Sequence, residues 1–298
     1  MAVTEQDGAP LAPGLYLVAT PIGNLEDITL RALRILRSVD RIACEDTRQT
    51  QKLLNHFGIE TKTTSVHEHN EAGRAAGLID DIRKGERIAV VTDAGMPGIS
   101  DPGMHLARAA IEARLAVIPV PGANAALTAL IASGLDTERF LFEGFLPPKQ
   151  GARQARLEAL RASLSEDAAP LTVVLYEAPH RILETLADIA VVYGSECRVA
   201  LARELTKLHE EFLRGPAAEV AAQLQERDRV RGEMVLLVEM RPAAAGEAAA
   251  PVSLLERIRE LAASEGLDEM AALKKIAKER GVSKSEIYRE LQRVRNKK

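Results

Sequence analysis

The sequence predicts an α/β protein: an N-terminal domain on a parallel sheet, a C-terminal domain on a mixed sheet, and a small helical extension. Three observations predict it. Over residues 14–124, strand-like apolar runs alternate with segments of helical periodicity, the pattern of crossover units. Over 125–241 the alternation continues, but some strand-like runs follow each other closely. Residues 242–251, within RPAAAGEAAAP, form a low-complexity linker, and the pattern beyond it is helical.

The elements follow in order. Residues 1–13 read as a flexible start. LYLVAT (15–20), RIAC (41–44), TTSV (63–66), RIAVVT (87–92) and AVIPV (116–120) are the expected strands of the first domain, with amphipathic helices near 28–37, 47–57, 71–84 and 102–113 between them. Asp101-Pro102 supplies a cap residue and a first-turn proline where the last of these helices is expected to start. In the second domain FLFEGF, LTVVLYE, RVALARE, HEEFLRG and EMVLLVE read as strands, with helices around 152–164, 178–192 and 216–226. RVALARELTKLHEEFLRG suggests a hairpin, hence a mixed sheet. In the extension, 252–298, Ser253 with Glu256 and Ser283 with Glu286 are spaced as capping boxes. GVSKSEIYRELQRV is similar to the second helix of a helix-turn-helix, with a plain solvated bundle as the alternative.

Composition narrows the function. The chain has 298 residues, 46% of them hydrophobic, which suits two cores. MAVTEQDGAPLAPG lacks a basic patch followed by an apolar core, and no 18 apolar residues run together, so a cytoplasmic location without membrane insertion is expected. Cys44 and Cys197, both in apolar strand contexts, are expected to be reduced, buried thiols. The net charge of −4 hides an asymmetry: residues 252–298 hold 12 Lys+Arg against 8 Asp+Glu, and the rest 27 against 35. The bulk of the chain is therefore no general polyanion binder, and any nucleic-acid contact must be local. With 3% aromatic residues and no Trp, an extended stacking platform for single strands is also disfavoured.

Chemistry concentrates at the ends of the expected parallel strands, where ligands sit in such sheets. Three turns fall there: TPIGNLED (20–27), VVTDAGMPGISDPG (90–103) and PGAN (121–124). Glycine lets backbone approach a ligand, proline holds the turn in the free state, and Asp93 adds one fixed acceptor. A lone carboxylate suits a cationic or hydroxyl-bearing ligand better than a phosphate. GxxxxGK[ST] is absent, and glycines at 95, 98 and 103 do not fit GxGxxG. No GxSxG elbow occurs, and His67-Glu68-His69 lacks further ligands in sequence, so neither covalent catalysis nor a metal is expected.

PIGNLEDIT, ACEDTRQTQKLL, HEHNE, VTDAGMPGISDPG, PGANAALTAL, LYEAPHRI and ARELTKLHEE occur in this order. Over residues 14–240 they resemble the tetrapyrrole methylase family (class III methyltransferases), and within it the group acting on small-subunit ribosomal RNA. The resemblance implies S-adenosyl-L-methionine as cofactor and methylation of the ribose 2′-hydroxyl of a cytidine in 16S rRNA, by a homodimer. By similarity Pro21, Asp93, Gly95, Met96, Pro97, Gly98, Asn124, Ala125, Tyr176 and Leu205 contact the cofactor. Met96 and Asn124 depart from the family pattern, which often has Thr and Ser there.

A ribose hydroxyl needs its proton accepted or its oxygen oriented, which directs attention to polar residues of these blocks. Lys207, Glu45, Asp46, Arg48 and Asn70 are the catalytic candidates: Lys207 as base or phosphate anchor, Glu45 and Asp46 as orienters of the sugar. Asn24, His67, Arg203, Glu210, Lys284 and Arg289 are the candidates for substrate contact. An ion-pair network is the competing reading of Arg48, Arg203 and Glu210, and loop hydrogen bonding that of His67 and Asn70. The basic tail is expected to help anchor rRNA. Two alternatives stand beside this reading. One is a same-fold enzyme acting on a tetrapyrrole or a modified protein residue, against which PIGNLEDIT and ACEDTRQT favour RNA; the other is a helix-turn-helix regulator with a silent cleft.

Overall fold

The computed structural model describes residues 10–66, 71–165 and 169–241, and within the tail 258, 261, 267–280, 287–289 and 291–292. His67, Asn70, Lys284, the linker and both capping boxes lie outside the described residues. The chain divides into two compact units, Met1–Thr128 with Glu204–Glu210, and Ala129–Arg203 with Glu211–Lys298.

The first unit carries β1 (Gly14–Val18), a 3-10 turn (Leu25–Asp27), α1 (Leu30–Ser38), β2 (Arg41–Cys44), α2 (Thr47–His56), β3 (Thr63–Ser65), α3 (Glu71–Arg83), β4 (Arg87–Val91), α4 (Met104–Glu112) and β5 (Val117–Val120). The sheet is wholly parallel, in the order β3-β2-β4-β1-β5. Strand alternation assigns its two faces. Tyr16, Val18, Ala89 and Val91 pack with Ala32, Ile35 and Leu36 of α1 and Leu54 of α2, whereas Leu15, Ile88 and Val90 pack with α3 and α4 through Leu78, Ile79, Leu106 and Ala110. Thr29 caps α1 by accepting from the Ala32 amide at 3.0 Å, and Asp46 caps α2 by accepting from the Arg48 amide at 2.8 Å.

The unit boundary at 128/129 falls inside α5 (Ala125–Ser133), a helix the periodicity missed. AALTALIAS has no polar stripe, so no 3.6-residue alternation betrays it. The second unit holds β6 (Phe140–Phe145), α6 (Gln150–Ala162), β7 (Leu171–Glu177), α7 (Ile182–Tyr193), β8 (Arg198–Arg203), β9 (Glu211–Pro216), α8 (Ala217–Gln225), β10 (Met234–Met240) and α9 (Glu269–Arg280). Its sheet, β6-β7-β10-β8-β9, is mixed: β6 and β7 are parallel, and every other pair, including the β8–β9 hairpin, is antiparallel. Arg153 on α6 is buried in this unit and meets Asp188 on α7 at 2.5 Å. In the tail, Ile258, Leu261, Leu273, Ile276, Ile287 and Leu291 form a small core of their own. Cys44 and Cys197 are both free, Cys44 buried and Cys197 only partly so.

The expected helix start at Asp101-Pro102 is corrected. α4 begins at Met104, with Gly103 as its N-cap at φ 125°. The Pro102 carbonyl instead accepts from the Gly98 amide at 3.1 Å, so the loop closes on itself before the helix starts.

Candidate active site

β4, β1 and β5 are neighbours in a parallel sheet, so the turns that leave their C-terminal ends share one edge. Two of them are stitched together. The Thr20 amide donates to the Gly95 carbonyl at 2.9 Å, and the Gly95 amide returns a bond to the Thr20 carbonyl at 3.1 Å. The Thr20 hydroxyl adds a bond to the Thr92 carbonyl at 3.1 Å. This two-way bridge requires Gly95 at φ +85°, a region that penalises any Cβ. The third turn joins through Asn124: its Oδ1 accepts from the Leu127 amide at 3.0 Å at the start of α5, and its Nδ2 lies 3.4 Å from Met96 Sδ.

The rim of this edge is anionic. Asp93 is exposed at the end of β4, and its Oδ1 accepts from the Asp46 amide at 3.4 Å. Glu45 follows β2. Asp101, half-buried in the loop, has its pKa raised to about 6, first by burial and then by the charges of Glu45 and Asp93. Burial, and then Asp93 and Asp46, also push the Cys44 thiol up. Asp46 differs: a two-pronged bond from Arg48, at 3.2 and 2.9 Å, holds it down at about 2. It is a permanent anion at neutral pH, suited to orienting rather than to accepting a proton. Three carboxylates that repel one another on a glycine-walled edge form a site whose field a cation relieves.

The tip of the β8–β9 hairpin, 204–210, also belongs to the first unit. The Thr206 hydroxyl accepts from the Asn24 amide at 3.0 Å, while the Thr206 amide donates to Glu210 Oε2 at 2.6 Å. Lys207 Nζ lies 2.9 Å from Glu204 Oε1. Glu204 and Thr206 both hold positive φ, 52° and 65°, a strain that persists only where the surroundings impose it. Gly23 explains the closeness: a Cβ there would stand 2.5 Å from Lys207 Cγ and 3.0 Å from the Leu205 carbonyl oxygen.

The first unit holds Pro21, Asn24, Glu45, Asp46, Arg48, Asp93, Gly95, Met96, Pro97, Gly98, Asn124 and Ala125, together with Leu205, Lys207 and Glu210. Asn24 uses its Oδ1 locally, accepting from the Glu26 amide at 3.0 Å. Tyr176, Arg203 and Arg289 belong to the second unit. There Tyr176 packs edge-on to Phe142 and Phe145. Arg203 joins a network in which Glu211 accepts from it at 2.9 Å and from Arg227 at 2.8 and 2.6 Å, which holds Glu211 at about 2. Arg289 is exposed on its helical turn. Sequence reasoning missed Thr20, Thr206 and the site role of Asp101. The run of non-apolar letters after each strand was their only signal.

A parallel sheet with stitched strand-end turns, followed by a mixed sheet, is the architecture of class III methyltransferases. Among solved structures, diphthine synthase is similar with a TM-score of 0.58 at 14% identity, covering 76% of this chain and 89% of that one. The methyltransferase CobJ is similar at 0.56 and 16%, covering 77% and 95%. At such identities the likeness concerns the fold. The family model of the tetrapyrrole (corrin/porphyrin) methylases matches residues 14–221, and the chain belongs to that family. Two relatives named ribosomal RNA small subunit methyltransferase I are far more similar. That of Halalkalibacterium halodurans is 49% identical over 280 residues, spanning 92% of this chain and 93% of its own. That of Escherichia coli O157:H7 is 46% identical over 276 residues, spanning 92% and 93%.

Proposed function

We propose that this chain is an S-adenosyl-L-methionine-dependent methyltransferase that methylates the ribose 2′-hydroxyl of cytidine 1402 in 16S rRNA. The observation that carries the reading is the Thr20–Gly95 bridge beneath an anionic rim. It leaves a backbone-walled edge with carboxylates and no phosphate cradle, which fits a ligand bearing an ammonium and a sulfonium. The near full-length identity to relatives of one name supports the ribosomal substrate over a tetrapyrrole or a protein residue.

In this reading Asp93 takes the cationic or ribose portion of the cofactor, while Gly95, Met96, Pro97 and Gly98 wall it, with Pro21, Asn124, Ala125 and Leu205 beside them. By family resemblance Tyr176 is a further cofactor contact. When bound, the cofactor supplies an activated methyl group with a neutral thioether as leaving group. What remains for the protein is alignment, which is worth several kcal/mol in oriented reactions, and control of the hydroxyl proton. Lys207, tethered to Glu204, anchors a phosphate or takes that proton. Glu45 and Asp46 orient the sugar, Arg48 and Asn70 are the further catalytic candidates, and Asn24, His67, Arg203, Glu210, Lys284 and Arg289 contact the RNA. No described helix is long and apolar enough to cross a membrane. Work on the ribosome places the enzyme in the cytoplasm, and family analogy makes it a homodimer, which sedimentation checks.

The test is incubation of labelled cofactor with small ribosomal particles that lack the modification. Label is expected on one cytidine ribose, read by mass spectrometry of nuclease fragments. Label on ribosomal protein, or none, overturns the proposal. In calorimetry Asp93→Ala is expected to weaken cofactor binding roughly 10- to 100-fold, the scale of one hydrogen bond to a charged group.

A further inference from the structure

We infer that the outer face of α1 and α2 is the surface that receives the phosphate backbone of the RNA substrate, an inference that rests on the function proposed above. The two helices carry Arg31, Arg34, Arg37, Arg48 and Lys52 and not one Asp or Glu, in a chain whose carboxylates outnumber its Lys and Arg, 43 to 39. Both pack on the same face of the first sheet through one apolar cluster. On α1 the arginines recur every third residue, on the side away from the buried Ala32, Ile35 and Leu36, and so form a stripe towards solvent. Arg31, Arg37 and Lys52 are exposed and Arg34 is half-buried.

What these cations touch distinguishes them. Among the described residues no carboxylate lies within 4.0 Å of Arg31, Arg34, Arg37 or Lys52. Arg37 donates to the Phe57 carbonyl at 2.9 Å and Lys52 to Gln49 at 2.9 Å, neutral partners that orient a charge without cancelling it. Arg48 is tied to Asp46 and is not counted in the stripe. On the opposite face several cations are paired with carboxylates instead. There Arg83 sits on Asp80 at 2.9 Å, Lys84 on Asp81 at 3.4 Å and Arg108 on Glu112 at 3.8 Å. In an acidic protein, cations kept together and apart from carboxylates are the footprint of a polyanion. The location suits this substrate, because a helix that follows a parallel strand starts at that strand's C-terminal end. α1 therefore begins beside the turn bearing Asn24, and α2 beside Glu45 and Asp46.

The test compares the full chain with Arg31→Gln/Arg34→Gln/Arg37→Gln, and with Arg83→Gln/Lys84→Gln/Arg108→Gln as a charge-matched control on the other face. Filter binding of a 16S rRNA fragment is measured across 50–200 mM salt, together with kcat and KM on ribosomal particles and cofactor affinity by calorimetry. Each phosphate contact contributes about 0.7–0.9 to the log–log salt slope, so the triple variant is expected to lose roughly 2 to 3 of it. Its KM for particles should rise about tenfold or more on the same basis, with kcat and cofactor affinity unchanged. The control should match the wild type. A triple variant with the wild-type slope and KM overturns the inference, and so does a control that weakens RNA binding equally. Arg31→Gln and Arg37→Gln singly, each worth about 0.7–0.9 in slope, decide the matter should the triple variant not fold. A wild-type chain that binds RNA through this stripe yet transfers no methyl group refutes the proposed activity and leaves the surface standing.

Discussion

Replacing Gly23 by alanine isolates the contact on which the arrangement of the first unit turns. A Cβ at position 23 would meet Lys207 Cγ at 2.5 Å, Thr206 Oγ1 at 2.8 Å and the Leu205 carbonyl at 3.0 Å. None of these is the loose end of a long side chain. The 204–210 tip must therefore retreat, and the Asn24 amide loses its bond to Thr206. Overpacking costs about 1–3 kcal/mol and the lost bond about 1 kcal/mol, so the expected destabilisation is roughly 2–4 kcal/mol. Gly77, exposed in the middle of α3, provides the opposite case: nothing lies within 4 Å of its Cβ direction. Gly77→Ala is expected to stabilise by about 0.5–1 kcal/mol through helix propensity. Differential scanning calorimetry should move the two melting temperatures in opposite directions, by roughly 2–4 °C per kcal/mol. Methyl transfer should fall at least tenfold in Gly23→Ala, since its hairpin tip carries Lys207, and stay unchanged in Gly77→Ala. A Gly23→Ala protein that melts and turns over like the wild type refutes the close approach and the positioning argument with it.

Three further outcomes follow from buried charge. Asp101 has a folded-state pKa of about 6, above the ordinary 3.8 of an unfolded carboxyl. The folded state therefore holds the proton more tightly, and the stability this contributes is complete below about pH 4 and lost as pH rises through 6. The two-unit difference is worth at most about 3 kcal/mol, and about half of that once water at this partly open loop is allowed for. Asp101→Asn is expected to flatten that segment of the stability–pH curve. In the unsubstituted protein, cofactor affinity should rise between pH 5 and 7 as a cation draws the proton off, which calorimetry in buffers of different ionisation enthalpy reads as proton release. In the second unit, Arg153 and Asp188 each have side chains only 1% exposed. Asp188→Ala should cost about 3–5 kcal/mol by leaving a buried guanidinium with only the exposed Glu184, at 3.3 Å, as its carboxylate, and Arg153→Met/Asp188→Leu should recover most of it, as chemical denaturation can measure.

The sequence made the sheets legible because burial on both faces writes continuous apolar runs. RIAVVT and LTVVLYE could hardly be anything but central strands, and β4 and β7 lie where they do. The turns were legible as places, since glycine, proline and one carboxylate after a strand cannot continue the sheet. Their wiring was not. That Thr20 pairs with Gly95 depends on strand order, which no local pattern encodes. That 204–210 joins the first unit is equally invisible, because ELTKLHE reads only as the break in a hairpin. Asp101 was misread as a cap for the same reason: local spacing favoured it, and the closure of Gly98 on Pro102 removed the helical start it would have served. Asp46 and Arg48 were legible as polar neighbours, yet only coordinates reveal that they are engaged chiefly with each other.

The two positions at which this chain departs from the expected family pattern, Met96 and Asn124, turn out to face each other, with Asn124 Nδ2 3.4 Å from Met96 Sδ. Their shared oddity then has a physical reason. A thioether is a soft, weak acceptor on a flexible stem, so a small hydroxyl at position 124 would leave Met96 without a partner, and a short threonine at 96 would leave the Asn124 amide group without its sulfur. Asn124 also caps the start of α5 through Oδ1. The pair therefore ties the loop after β4 to the helix after β5, beside the bridge that ties the same loop to the turn after β1. Residues coupled in this way do not contribute additively, so the pair, rather than either letter alone, is the unit in which a change at this edge acts. The backbone bridge through Gly95, which depends on no side chain, is what allows such a change without loss of the edge.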